Sequence, residues 1–207
     1  MNLARPYSGV AATVDGDVLV ALAGTSRPSS GRHVARLVRR GSQAAVNGAL
    51  DRLVRQGLVH REPAPPAFLY SLNRDHVGYA AVVALADMRA ELLGRLRRRL
   101  SAWEVPAAHV SMFGSAARAD GGTDSDIDLV VIRPRGTEEE EERWREQVAA
   151  LDEAVLAWTG NDASIVELAE TELPRLAAER PPVLDAWRQD AVELAGRPLE
   201  ALLGGGS

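Results

Sequence analysis

Residues 114–129 read GSAARADGGTDSDIDL. Two apolar runs flank the stretch, HVSMF at 109–113 and IDLVVI at 127–132. Each run has the length and composition of a strand, and the glycines between them predict a turn. Asp126 and Asp128 are two residues apart, so a strand puts both carboxylates on one face. Charged groups inside an apolar strand are costly unless something compensates them. A divalent cation carrying phosphates would do so. Gly114 lets the backbone approach a ligand closely. Ser115 is placed to cap a short helix through Ala116, Ala117 and Arg118, whose leading N–H groups suit phosphate oxygens. Arg118 adds a planar guanidinium fork.

Two blander readings compete. Asp124, Asp126 and Asp128 imitate the start of a calcium loop of the EF-hand type. Counting from Asp124, Leu129 stands where that loop needs Gly and Arg135 where it needs Glu, so the reading fails. A solvated acidic turn without chemistry accounts for Asp124 but not for the pair inside the strand.

The pattern G-S-x-A-R, followed by S-D-x-D-L on the next strand, resembles the nucleotidyltransferases of the DNA polymerase beta superfamily. It is most similar to the minimal nucleotidyltransferases of prokaryotes. The resemblance implies transfer of a nucleoside monophosphate from ATP or another triphosphate to an acceptor, with Mg²⁺ or Mn²⁺. It assigns Asp126 and Asp128 to the metal and to catalysis, and Gly114, Ser115 and Arg118 to the nucleotide. It also implies a third acid on a later strand, here predicted at 162–168. Ser164 stands at the family's Asp position. Asp162 shares its face and is expected to complete the site, and Glu167, on the opposite face, is the second candidate. The acceptor can be protein or RNA. A further form the family takes is an antitoxin that nucleotidylates a partner toxin.

The composition agrees with an enzyme of this kind. The chain has 207 residues, 46% of them hydrophobic, and no cysteine. Disulfides and thiolate metal sites are thereby excluded. No apolar run is long enough to span a membrane and no secretory signal is evident, so the cytoplasm is the expected location. All 24 basic residues are arginine, which excludes a P-loop lysine. Residues 1–99 carry 15 arginines against 7 acids, and residues 100–207 carry 9 against 22. A basic half joined to an acidic half predicts two domains with different partners.

The basic half has its own pattern. A first helix closes near Gly24. Ser29 or Ser30 caps a second, with Val34, Leu37 and Val38 inward, ending at Gly41. Ser42 caps a third, in which Val46, Ala49, Leu50, Leu53 and Val54 recur at helical spacing before Gly57. Strands are predicted at 58–61 and 68–72, with Pro63 to Pro66 at the hairpin tip. The stretch GSQAAVNGALDRLVRQGLV…LYSLNR resembles winged helix-turn-helix regulators of the ArsR and MarR type. That resemblance implies DNA binding, often as a homodimer. Ser42, Gln43 and Asn47 would face base edges, and Arg32, Arg39, Arg40 and Arg52 would meet phosphates.

Residues 77–103 have a helical stripe and predict one long connecting helix. Thr137 to Glu140 reads as a capping box that opens a helix with Trp144, Val148, Leu151, Val155 and Trp158 inward. Short helices follow, divided at Pro181 and Pro182, and residues 204–207 are expected to be disordered. The expected fold class is α+β. It comprises a winged helix-turn-helix domain (1–76), a connecting helix (77–104) and a mixed-sheet transferase domain with flanking helices (105–203). The rival function is a DNA-binding regulator or antitoxin whose second domain senses nucleotide or is inactive.

Overall fold

The structure, a computed structural model, describes residues 1–38 and 40–204. Arg39, expected at a phosphate, and residues 205–207 of the expected disordered tail lie outside the described residues. The chain divides into two compact units, Pro6–Arg89 and Met1–Arg5 with Ala90–Ser207. The division falls within the segment expected to connect the domains.

In the first unit, α1 (Val14–Ala23), α2 (Gly31–Val38) and α3 (Gln43–Arg55) precede a hairpin of β2 (Val59–Ala64) and β3 (Ala67–Leu72). A two-residue strand, β1 (Ser29–Ser30), adds to β3 and gives a sheet of order β1-β3-β2. Val18, Leu22, Val34, Val46, Ala49, Leu50, Leu53 and Val59 form one core. Ser42 caps α3 by accepting the Ala45 N–H at 3.2 Å. Leu37 is 42% exposed instead of inward, because α2 is short and its core contacts run through Val34, Ala35 and Val38. The hairpin strands pair as far as Ala64↔Ala67, so the tip is tighter than the proline run suggested.

The predicted long helix is two helices, α4 (Tyr79–Ala86) and α5 (Met88–Ser101). Asp87 separates them with φ −89° and ψ 3°. Aspartate competes poorly for a helix interior, since its side chain favours backbone contacts available outside one.

The second unit is built on a four-stranded mixed sheet of order β6-β5-β4-β7. These strands are β4 (His109–Met112), β5 (Ile127–Arg133), β6 (Ala163–Ala169) and β7 (Val192–Gly196). Only the β5–β6 pair is parallel. Both faces of β5 are covered, which explains its nearly continuous apolar sequence. Ile127, Leu129 and Val131 pack with α5 and with Trp144, Leu151 and Val155 of α7 (Glu142–Thr159). Val130 and Ile132 face the other way. There they join Leu173 of α8 (Leu173–Glu179), Leu184 and Trp187 of α9 (Pro182–Asp190), and Leu199 of α10 (Leu199–Gly204). Each such fully buried aliphatic side chain contributes roughly 1.5–3 kcal/mol over its exposed state. No helix is long and apolar enough to cross a membrane, among the described residues.

The capping box at Thr137 is not formed. Residue Glu141 is the N-cap, without a side-chain cap bond. Consecutive glutamates repel one another, and fully buried Trp144 anchors the helix start instead. Strand β7 (Val192–Gly196) was not expected from the sequence, and α10 (Leu199–Gly204) forms after Pro198, where only a brief tail was expected.

His109 is fully buried in β4. Its Nδ1 lies 2.7 Å from the Arg197 carbonyl and its Nε2 3.0 Å from the Ser111 hydroxyl. Burial lowers its pKa from the ordinary 6.5, partly opposed by the Arg197 carbonyl and the Glu193 charge. The unfolded chain therefore takes up a proton that the folded state resists, and stability falls as pH drops below about 6.5. Unfolding midpoints measured from pH 7.5 to 5 should fall more steeply for the native protein than for His109→Gln. Parallel profiles would refute this assignment.

Candidate active site

The 114–129 stretch joins β4 to β5 by way of α6 (Gly114–Arg118). The Phe113 N–H donates to the Asp128 carbonyl at 3.0 Å, which ties the turn to the strand. Gly114 follows with φ +64°, and a Cβ there would lie 2.4 Å from Asp128 Oδ2. The Asp128 carboxylate thus rests against the Gly114 α-carbon. The dihedral favours glycine, and any added Cβ would push the Asp128 carboxylate aside. The helix starts at Gly114 with Phe113 as N-cap, so Ser115 sits inside it and is not its cap. The Ser115 hydroxyl instead packs over Gly121, where a Cβ would meet it at 2.7 Å.

Asp128 is partly buried on the α8–α10 face of the sheet, and Asp126 is exposed just before the strand. Burial raises the Asp128 pKa above its ordinary 3.8, the Asp126 charge adds to the rise, and Arg118 opposes it. The three side chains therefore share one electrostatic neighbourhood. Arg118 is itself held: its Nε donates to Asp120 and its NH1 to Asp190, each at 3.0 Å. Both carboxylates stabilise the guanidinium charge. Asp190 is 72 residues away in sequence, at the end of α9, so no local pattern announced it.

The parallel register sets Asp128 directly opposite Ser164. Asp162 stands one residue before the first pair, Ile127↔Ala163, and its carbonyl accepts the Ile127 N–H at 2.9 Å. Its side chain is exposed. Among the described residues, no group of three acidic, histidine or cysteine side chains is placed to hold a metal. Asp126 and Asp128 alone are brought together. Glu167 points to the α7 face, where it accepts hydrogen bonds from Arg133 and, at 2.7 Å, from Trp144 Nε1.

Asn161 was not singled out by its sequence. It is 4% exposed. Its Nδ2 donates to the carbonyls of Thr123 and Ser125, each at 2.9 Å. Together with the Asp162 carbonyl, it fixes the loop that delivers Asp126. Leu3 is also buried here, and the Ala4 N–H donates to the Gly121 carbonyl at 2.8 Å.

The nucleic-acid candidates lie in the first unit. Ser42 is occupied as the α3 cap. Gln43 Nε2 donates to the Gly31 carbonyl at 3.2 Å and to Asn47 Oδ1 at 2.9 Å. Arg52 makes a bidentate pair with Asp15 at 3.1 and 2.8 Å. Arg40 NH1 lies 3.4 Å from the Ala12 carbonyl and 4.0 Å from Asp17. Arg32 is exposed.

Residues 90–162 match the family model of the nucleotidyltransferase domain. The matched span contains Gly114, Ser115, Arg118, Asp126, Asp128 and Asp162. No curated protein matches the sequence. A solved structure described as a toxin-antitoxin with AMP-PNP is similar at 15% identity. That similarity covers 55% of this chain and 82% of that one, with a TM-score of 0.36.

Two outcomes follow from the Gly114–Asp128 contact. Gly114→Ala forces a side chain into a left-handed position, costing about 1–2 kcal/mol, and displaces the carboxylate. Its melting temperature and its affinity for magnesium-nucleotide should both fall, whereas unchanged affinity would contradict the packing described. Asp128→Asn removes a charge that burial and Asp126 disfavour. Without metal at pH 7 it should melt higher than the native protein, and the gap should close as pH falls through the raised Asp128 pKa. A lower melting temperature at pH 7 would count against this account.

Proposed function

We propose that the second unit is a nucleotidyltransferase acting on ATP or another nucleoside triphosphate. The observation that carries the proposal is the Asp128 carboxylate lying against Gly114, with Asp126 and Arg118 close enough to shift its pKa. The matching family model, which spans all of these residues, supports the same reading. In the proposed reaction, an acceptor hydroxyl attacks the α-phosphorus. The new O–P bond replaces the bond to the β-phosphate, pyrophosphate leaves, and the hydroxyl proton is lost.

The residues fit a divalent cation, because two adjacent carboxylates, one of them desolvated, are unfavourable without one. A Mg²⁺ ion held by Asp126 and Asp128 would supply neutralisation of the phosphate charge. Gly114 keeps the bend free of side chain, so backbone N–H groups can approach phosphate oxygens. Ser115 lines the same bend. Arg118 offers cationic support, with Asp120 and Asp190 fixing its position. Asp162 would accept the hydroxyl proton or complete the metal shell. The acceptor is a protein or RNA hydroxyl in this reading.

We read the first unit as a winged helix-turn-helix module that binds nucleic acid. Its helix–helix–helix–hairpin order and the resemblance of its sequence support this. A second reading, a nucleotide-sensing regulator that does not catalyse transfer, is favoured by one observation: no third acid joins Asp126 and Asp128 among the described residues.

The test is incubation of the protein with radiolabelled triphosphate, Mg²⁺ and cell extract. Label should enter protein or RNA, and the Asp126→Ala, Asp128→Ala double variant should lose transfer by several orders of magnitude. Tight operator binding with no label transfer by the native protein would favour the regulator. Absence of any affinity for magnesium-nucleotide would overturn both readings of the second unit.

A further inference from the structure

Between α3 and the β2–β3 hairpin lies an open groove of about 680 Å³. One wall carries Phe68, 47% exposed, with the Arg61 guanidinium 5.0 Å over its ring. Asp51 holds Arg61 in place at 3.2 Å. The opposite wall carries Gln43 and Asn47, one helical turn apart and hydrogen-bonded to each other at 2.9 Å. Gln43 uses its Nε2 in that bond and in the bond to the Gly31 carbonyl, which leaves its Oε1 acceptor without a partner among the described residues. Asn47 uses its Oδ1, and its Nδ2 donor has no partner among the described residues. Arg32 lines the rim.

The convex side of α3 is much less equipped. Opposite its buried residues Val46, Ala49, Leu50 and Leu53, and outside the groove lining, the helix presents Ala44, Gly48 and Arg55. Insertion of that face into a duplex major groove would set Ala44 and Gly48, which offer no side-chain hydrogen-bonding group, against base edges. Two arginines expected at phosphates, Arg40 and Arg52, are turned to Asp17 and Asp15. The two amides and the exposed aromatic ring converge on the groove.

We propose that this groove binds a single-stranded nucleic acid by taking in one unstacked base. The base stacks on the Phe68–Arg61 pair, since an exposed aromatic ring and a fixed guanidinium plane both suit a nucleobase face. The Nδ2 donor of Asn47 and the Oε1 acceptor of Gln43 read its edge. Adenine, with an acceptor ring nitrogen beside its N6 amino group, offers the complement. Arg32 meets an adjoining phosphate. This deepens the nucleic-acid reading of the first unit and rests on it, but it does not depend on transfer chemistry.

The test uses the full chain without nucleotide and fluorescein-labelled oligo(A), oligo(U), their deoxy counterparts and a 12-base-pair duplex, followed by anisotropy. Oligo(A) or oligo(dA) should bind more tightly than the duplex at the same salt. The ribose and deoxyribose arms separate RNA from DNA as the source of the strand. Phe68→Ala should weaken binding at least about fivefold. Asn47→Ala should reduce the preference for A over U. Phe68 is exposed, so its replacement should leave the fold intact, and an unchanged melting temperature checks this. The Asp126→Ala, Asp128→Ala variant should bind the strand as the native protein does, which keeps failure here distinct from failure of the transferase reading. Equal or tighter binding of duplex, no binding of any strand, or an unchanged Phe68→Ala affinity would overturn the proposal.

Discussion

Asp128 and Gly114 compete for one small volume, and the candidate site exists because glycine yields it. A β-carbon at residue 114 would lie 2.4 Å from the carboxylate oxygen. The contact is closed on the backbone side by the hydrogen bond from Phe113 N–H to the Asp128 carbonyl. Strands β4 and β5 are thus joined where α6 departs. The positions of Ser115 and Arg118 follow from that departure. A site assembled this way owes its precision to backbone pairing more than to side-chain packing.

Strand β5 and its neighbour β6 sort acids by face. Asp128 looks toward the α8–α10 side, and its charge is resisted by burial and by Asp126. Glu167 looks toward α7 and is satisfied by Arg133 and the Trp144 indole. The charge of the first acid stays disfavoured, while the second has become part of the scaffold. The arginines divide in a similar way. Arg118 is shared between Asp120 and Asp190, and Arg52 is committed to Asp15.

Much of this was legible in the sequence because it is local. The helices around Val34 and Val46, the Ser42 cap, the hairpin, and strands β4, β5 and β6 all follow from short-range periodicity. So does the placement of Asp128 beside the Gly114 turn, whereas Asp126, expected in the strand, lies just before it and is exposed. The departures arise where distant or competing contacts decide. Asp87 interrupts a stripe that reads as continuous helix. Trp144 sets the start of α7 in place of the Thr137 capping pattern. Strand β7 has only Val192 to Gly196 to declare it and forms by pairing with β4. Neither Asn161 nor Asp190 could be found from spacing, since each acts on a segment tens of residues away.

The one-to-one pairing of Asp128 with Ser164 has a consequence for how such a protein can change. Position 164 already occupies the seat beside the Asp128 carboxylate, on an edge strand whose residues are only partly buried. An acid could be installed there by exchanging one small polar side chain, with no shift of the main chain. The scaffold therefore separates architecture from potency: the strength of any chemistry at this place can be tuned at a single residue while the sheet stays as it is.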